Sequence, residues 1–424
     1  MTIIRRSWAK LPRRARDFIR SLLEDCFPCK LPTGRPLVKG DIVVGGFLGT
    51  ASGLGQSARW MLHFFKTAGL PAYGANFSKL SVIEENFEGG PLWPPQAAPS
   101  GIIILHMNPS LFPLGAYKSL GKARLLPRYI VGYWAWELDV APPRWRRALD
   151  ALDEIWVPSH FVASGLKKLA PEKTIRVMPC LVDVTSYPTK PAIDPLPQCA
   201  GRTIVFFMYD VGSTHARKNP CGVIEAFKKA ATENPEACLV LKINNSHLWP
   251  QSAEMVHRVA EGASNIIILE EKFSAAMMKN LLARIDIAIS LHRSEGFGLL
   301  MAEAMAAAKP VIATGWSGNM DFMDASCAVL IDYKLVKTED PQHLYDKYGT
   351  EWAEPDIDHA ARELRRLLHD PAERQRLGNA AREHIGHYLS QRDCLSLMPD
   401  IFWQSLADPS WRERLLGIEQ PKNL

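Results

Sequence analysis

Glu295 and Glu303 stand with seven residues between them in the run Ser294-Glu-Gly-Phe-Gly-Leu-Leu-Met-Ala-Glu303. An apolar segment, Ile285–His292, leads into the run, and a second, Lys309–Thr314, follows an Ala/Met/Leu-rich stretch. Strand, glycine-rich turn, helix and strand make a βαβ unit, which aims backbone N–H groups and the positive end of a helix at the ligand edge of a sheet. Gly296 and Gly298 let the backbone approach a ligand closely. With the helix starting near Leu299, Glu295 lies at the strand exit and Glu303 about one turn inside the helix. Carboxylates so placed accept hydrogen bonds from vicinal hydroxyls. The plainer alternative is a helix start with acids near its dipole.

A second cluster lies in Tyr209-Asp-Val-Gly-Ser-Thr-His-Ala-Arg-Lys-Asn-Pro220. A strand ends here, a polar loop carries Ser213, Arg217 and Lys218, and Asn219-Pro220 opens a helix as cap and first residue. Two cations at a helix start form a diphosphate site, or else an ordinary solvated loop. A third candidate is Gly53-Leu-Gly55-Gln-Ser-Ala-Arg59 in the first βα turn. It lacks the third glycine of a dinucleotide fingerprint and has no acid in the partner position, which argues against a dehydrogenase.

These loops need a scaffold, and the pattern supplies one. Asp41–Phe47, Gly101–Met107, Arg128–Trp134, Glu154–Pro158 and Ile175–Met178 have strand character. Helical stretches fall between them at Ser57–Ala68, Pro142–Leu152 and Phe161–Leu169. Pro188, Pro191, Pro195 and Pro197 mark an interdomain linker. The alternation then restarts with strand Thr203–Tyr209, helix Asn219–Asn234, strand Cys238–Ile243 and strand Asn265–Leu269. It ends in helices at Ala360–Leu368 and Ala372–Tyr388 and a tryptophan-bearing tail. Such alternation predicts an α/β fold with parallel sheets wound on both faces.

A length of 424 residues suggests two such domains. A net charge of +5 is mild at this length and implies no nucleic-acid partner. No apolar run approaches the ~20 residues of a transmembrane helix, and the first residues lack the apolar stretch of a secretory signal. The eight scattered cysteines read as reduced thiols of a cytoplasmic protein. Cys26 and Cys29 form a lone CxxC without a second ligand pair for zinc. Asp356-Ile-Asp358 opens a helical stretch, so capping accounts for it and no metal is expected. The first twenty residues carry seven basic side chains and one acid, and Ala15, Phe18, Ile19, Leu22, Leu23 and Cys26 fall on one helical stripe. That amphipathic helix could lie on an anionic membrane from the cytoplasmic side or dock on the protein's own body.

The Glu295–Glu303 motif, with Leu291-His-Arg-Ser before it and Lys309-Pro-Val-Ile-Ala-Thr-Gly-Trp-Ser-Gly-Asn319 after it, resembles the family 4 (group 1) retaining glycosyltransferases. Arg217-Lys218-Asn-Pro, Asp153-Glu-Ile-Trp-Val-Pro-Ser159 and Val177-Met-Pro resemble further segments of that family, over nearly the whole chain beyond residue 40. Asp210-Val-Gly-Ser213 replaces the commoner Gly-Arg after the first strand of the second domain. The resemblance implies the GT-B architecture, two Rossmann-like doubly wound domains facing across a cleft. It implies a hexose moved from a nucleoside-diphosphate sugar, with no other cofactor, to a glycan or lipid-linked glycan, in surface polysaccharide synthesis. A nucleotide-sugar epimerase of the same fold and a non-catalytic sugar-binding protein are the alternatives.

By the same resemblance Glu303 holds the ribose, while Glu295 and the backbone of Gly296, Phe297, Gly298 and Leu299 contact sugar and phosphate. Gly53, Gly55 and Ser213 line the donor site. Lys218, helped by Arg217, stabilises the departing diphosphate, and His106 faces the donor sugar. Front-face attack assisted by the leaving phosphate is the implied course. Tyr133, Trp134, Trp136 and Glu137 offer an aromatic and carboxylate platform for an acceptor sugar, or else pack the cleft wall. The organisation so read is an N-terminal extension over 1–39, an acceptor domain with linker over 40–198, a nucleotide-sugar domain over 199–388, and helices over 389–424 that cross back.

Overall fold

A computed structural model of the protein describes residues 37–50, 52–78, 100–109, 128–408 and 410–417. The basic stretch over 1–30 lies outside them. Two six-stranded sheets dominate. The first contains β1 (Asp41–Gly46), β2 (Ala72–Asn76), β3 (Ser100–His106), β4 (Tyr129–Tyr133), β5 (Glu154–Val157) and β6 (Ile175–Val177) in the order β2-β1-β3-β4-β5-β6. Every pairing in it is parallel. The second contains β7 (Thr203–Asp210), β8 (Ala237–Asn244), β9 (Ile266–Leu269), β10 (Ile287–Ser290), β11 (Val311–Thr314) and β12 (Val329–Ile331), ordered β12-β11-β10-β7-β8-β9 and likewise parallel.

The sequence forms these sheets because its strands are apolar on both faces. Ile42–Val44, Ile102–Ile104, Val205–Phe206 and Leu239–Leu241 are wholly inaccessible to solvent, as suits strands covered by helices on either side. Read from β7 onward, the second sheet has the 3-2-1-4-5-6 order of dinucleotide-binding folds, and the order reverses between β7 and β10. In the first sheet the reversal falls between β1 and β3, where Gly46 pairs with His106. Ligands bind outside the carboxyl ends of strands at such reversals. The loops after β7 and β10, and after β1 and β3, are the ones carrying the candidate residues.

Some elements differ from the sequence reading. The helical stretch read at Pro142–Leu152 is a 3-10 helix over Pro143–Ala151: Trp145 N donates to Pro142 O and Leu152 N to Leu149 O, both i→i+3. Pro142 and Pro143 supply no N–H donors to the entry of that turn. An antiparallel hairpin, β13 (Tyr333–Lys337) with β14 (Glu351–Pro355), stands apart from both sheets. In chain order it lies between β12 and helix Ile357–His369, which packs against β11 and β12.

After helix Pro371–Tyr388 the chain returns to the first sheet. Gly40 N donates to Ser405 O (2.9 Å) and Ala407 N to Gly40 O (3.2 Å). The Phe402 ring stacks on Phe65 with centroids 5.5 Å apart. The approach is close enough that a Cβ on Gly101 would overlap Ser405 O. No helix among the described residues is long and apolar enough to cross a membrane, and the described cysteines are free thiols.

Candidate functional site

The carboxyl ends of both sheets meet at one place. Strand β10 ends at Ser290, and the chain runs on through His292 to Glu295. His292 is wholly buried, with Nδ1 3.0 Å from Ser290 Oγ and Nε2 3.1 Å from Asn319 Oδ1. Burial lowers its pKa, so it serves as a neutral strut. The next residues touch the first half of the chain. Ser294 Oγ donates to Glu137 O, and Ser159 Oγ donates to Gly296 O at 2.7 Å. Gly318 closes the site from behind: a Cβ there would lie 2.4 Å from Gly296 O.

Glu295 is the hub. Its Oε2 accepts from Arg217 Nη1 at 3.1 Å, its Oε1 accepts from Lys218 Nζ, and its backbone N–H donates to Ser317 Oγ at 2.8 Å. Burial opposes ionisation of the carboxyl, but the charges of Lys218 and Arg217 override it and hold the pKa down to about 2.

The two cations are not equivalent. Arg217 is 2% exposed and is held on several sides: Nε donates to Ser213 O (3.1 Å) and Nη1 to Ser294 O (2.7 Å), while Nη2 lies 3.8 Å from Glu137. The Lys218 side chain is 19% exposed, with Glu295 as its bonded partner. Lys218 is therefore the cation able to meet an incoming anion, and Arg217 braces the loop. Burial lowers the Lys218 pKa and Glu295 raises it, with a net lowering. Asn219, in the left-handed region at φ 54°, caps helix Pro220–Ala230 through Gly222 N and ties the loop to Leu291 O.

Helix Leu299–Ala306 begins at Gly298, whose φ of +112° disfavours a side chain, and a Cβ there would sit 2.4 Å from Met301. Glu303, on this helix, accepts a 2.7 Å hydrogen bond from Tyr187 Oη. Burial raises the Glu303 pKa to about 7, against the bond from Tyr187 and the nearby charges of Lys279 and Arg59. Arg59 belongs to the first half, where it donates to Leu48 O (2.9 Å) and Thr50 O (2.8 Å) and so shapes the loop after β1. Gly55, in the first turn of helix Gly53–Thr67, packs on Phe47 O, and Gly53 faces Leu299 of the second half. Phe297 is buried against Phe322, with ring centroids 4.7 Å apart.

His106 is 0% exposed, stacked on Tyr133 with ring centroids 4.2 Å apart and Nε2 3.2 Å from Met61 Sδ. Burial pushes its pKa down to about 3, so it is neutral, and its Nδ1 is buried without a partner. The acceptor platform suggested by the sequence is not an open surface. Tyr133 and Trp134 are fully buried, Tyr133 Oη donates to Met178 O, and Trp136 packs against Trp145, Tyr345 and Tyr348. Tyr133 lies in a parallel strand covered on both faces, so its ring joins the core. Glu137 points to Arg217 and Tyr345 rather than outward.

Away from these loops, a cavity of about 870 Å³ lies behind the 215–221 segment, with His215, Cys221, Arg293, Thr338 and Trp352 in its wall. Asp356 caps the following helix through His359 N, and Asp358 pairs with Lys229 at 2.8 Å. Asp324, Cys327 and His384 bring potential ligand atoms within 4.8 Å of one another. Asp324 Oδ1 there already accepts from Ser326 N and Oγ.

Sequence reasoning assigns no role to Tyr187 and Tyr345, nor, within the segments it singles out, to Arg59, Ser159 and Ser317. Tyr187 carried a faint signal as a lone aromatic in a proline-rich stretch. The others act across sequence gaps that no local pattern records.

Residues 202–384 match the sequence family described as glycosyl transferases group 1. The trehalose synthase of Rubrobacter xylanophilus is 25% identical over 192 residues, which span 44% of this chain and 41% of that protein. The chain thus aligns with less than half of that relative's length. The structure of Anabaena HepE in complex with UDP-glucose superimposes with a TM-score of 0.59 at 15% identity, covering 86% of this chain and 98% of that one. A glycosyltransferase from Rickettsia africae gives a TM-score of 0.57 at 14% identity over 86% and 99% of the two chains. TarM of S. aureus, solved with UDP, gives 0.51 at 16% over 71% and 55%. At these identities the structural likeness establishes the GT-B fold.

Proposed function

We propose, starting from a chain of the GT-B fold whose residues 202–384 match the group 1 glycosyltransferases, that the protein transfers a hexose from a nucleoside-diphosphate sugar with retention of configuration. The observation that carries this reading is the Lys218–Glu295 ion pair at the strand-order reversal of the second sheet, with Glu303 on the helix that follows. The three groups offer a cation for a diphosphate and carboxylates for sugar and ribose hydroxyls. HepE and TarM, which share the fold, are solved with UDP-glucose and with UDP.

In this reading the donor enters between the loops after β7 and β10. Ribose hydroxyls donate to Glu303, displacing or sharing the Tyr187 bond. The diphosphate meets Lys218 Nζ and the backbone N–H groups at the start of helix Leu299–Ala306. Negative charge grows on the leaving phosphate as the glycosidic bond breaks, and a fixed cation in a site shielded from water stabilises that charge most. Arg217 and Glu295 keep Lys218 where the charge develops. The acceptor hydroxyl attacks from the face of the departing phosphate, which takes its proton. The acceptor is a glycan or lipid-linked glycan of surface polysaccharide synthesis.

Thermal shift with UDP-, GDP- and ADP-glucose tests the reading. One donor should raise Tm, since ligand at 100 times its Kd adds about 2.7 kcal/mol to stability. No shift from any nucleotide sugar would contradict it.

We also propose that residues 1–30, basic and apolar by turns, bind anionic lipid on the cytoplasmic side of a membrane. Deleting them should weaken co-sedimentation with vesicles containing phosphatidylserine. Undiminished binding would rule the segment out as the anchor.

A further inference from the structure

The 338–350 loop between β13 and β14 belongs to neither sheet, yet it contacts the loop that carries the cations and the first half of the chain. Its neck is closed by Thr338 N donating to Thr350 O at 2.9 Å, with the two threonine hydroxyls 3.1 Å apart. Asp340 fixes the turn, accepting from Gln342 N (3.1 Å), Leu344 N (2.8 Å) and Tyr345 N (3.2 Å). Gln342 then clamps the cation loop, accepting from His215 N at 2.9 Å and donating to Val211 O at 3.0 Å. This carboxylate and amide work inside a loop that the sequence does not mark as functional.

Tyr345, 2% exposed, projects from this loop towards the site. Its hydroxyl donates to Glu137 Oε2 at 2.8 Å, and the Arg217 guanidinium carbon lies 5.6 Å from its ring centroid. The other oxygen of Glu137 faces Arg217 Nη2 at 3.8 Å, and the Glu137 carbonyl accepts from Ser294 Oγ. Burial raises the Tyr345 pKa well above that of a free phenol, so the hydroxyl keeps its proton and remains a donor. One unbroken chain of contacts thus runs from Tyr345 through Glu137, Arg217 and Glu295 to Lys218.

We propose that Tyr345 is a positioning residue for transfer: its hydroxyl fixes Glu137, Glu137 orients Arg217, and Arg217 takes one oxygen of Glu295 so that Lys218 faces the diphosphate from the other. Without the Tyr345 bond, Glu137 is free to draw Arg217 away, and Glu295 and Lys218 shift together. Tyr345 itself touches no donor atom in this arrangement. It therefore acts on the transition state through the cation and leaves donor binding largely intact. The inference rests on the transferase reading above.

The test is a double-mutant cycle of Tyr345→Phe and Glu137→Gln. Its readout is diphosphate release from UDP-, GDP- or ADP-glucose, whichever the wild-type protein turns over. Tyr345→Phe should lower kcat about ten-fold with donor KM within about two-fold, and Glu137→Gln should do the same. The double variant should be no slower than the slower single one, because both changes cut the same chain of contacts. Losses that multiply, or a Tyr345→Phe effect confined to KM, would overturn the positioning role. If Glu137→Gln fails to fold, Arg217→Lys takes its place in the cycle. A folded wild-type protein that releases diphosphate from none of the donors overturns the transferase reading, and the positioning role with it.

Discussion

Lys218→Ala should lower kcat for diphosphate release by about 10²–10³-fold, the usual effect of removing one preorganised group that stabilises developing charge. The geometry singles out this residue. Arg217 is enclosed by Ser213 O, Ser294 O, Glu295 and Glu137, so its donors are committed. Lys218 reaches the partly open side of the pair. The substitution leaves Glu295 bonded to Arg217 at 3.1 Å, so no carboxylate is stranded and the variant should fold with Tm near that of the wild type. Steady-state turnover with the donor identified by thermal shift provides the check. A folded Lys218→Ala variant with kcat within a few-fold of wild type would remove the lysine from the mechanism.

Glu295→Ala should be costly in a different way. It leaves buried Arg217 and part-buried Lys218 side by side without their shared carboxylate. Breaking a buried ion pair by removing one partner costs about 3–5 kcal/mol, and urea unfolding should show a loss of that size together with loss of turnover. The pH dependence has a definite sign. The folded-state pKa of Glu295, about 2, lies below its ordinary 4.5. Its contribution is therefore complete above the ordinary value and disappears as pH falls from there towards 2. The wild-type protein should lose part of its advantage over Glu295→Ala across that interval. A variant as stable as wild type at pH 7 would show that the triad does not hold the loop.

Much of this site was legible in the sequence because the loops that form it are short and local. The Glu295 and Glu303 spacing, the glycines between them and the Asn219-Pro220 cap are all fixed by a strand exit followed by a helix start. Apolar runs marked most strands, since a strand buried on both faces leaves a continuous signature. Strand β2, Ala-Tyr-Gly-Ala-Asn, has no such run and escaped notice. The surroundings of Arg217 and Glu137 are not legible in the sequence for another reason. Charge and type suggested a phosphate ligand and an acceptor contact, but burial is decided by neighbours from remote segments. Tyr345 and Glu137 are separated by 208 positions, and only the packed chain brings them together. The aromatic run Tyr133–Trp136 shows the same limit, because core and cleft wall use the same side chains.

The central claim is that a nucleoside diphosphate is gripped between Lys218 and Glu303. Calorimetric titration of UDP, GDP and ADP into the wild-type protein and into Glu303→Ala tests it most directly. Ribose hydroxyls bond best to an ionised carboxylate, and the Glu303 pKa lies at about 7. Wild-type affinity for the preferred nucleotide should therefore rise between pH 6 and 8, beyond any change that the ligand's own phosphate produces in the variant. At pH 8 Glu303→Ala should bind about ten-fold or more weakly, as loss of hydrogen bonds to a charged group implies. Equal affinity of the two proteins at pH 8, with the same pH dependence, would contradict the account.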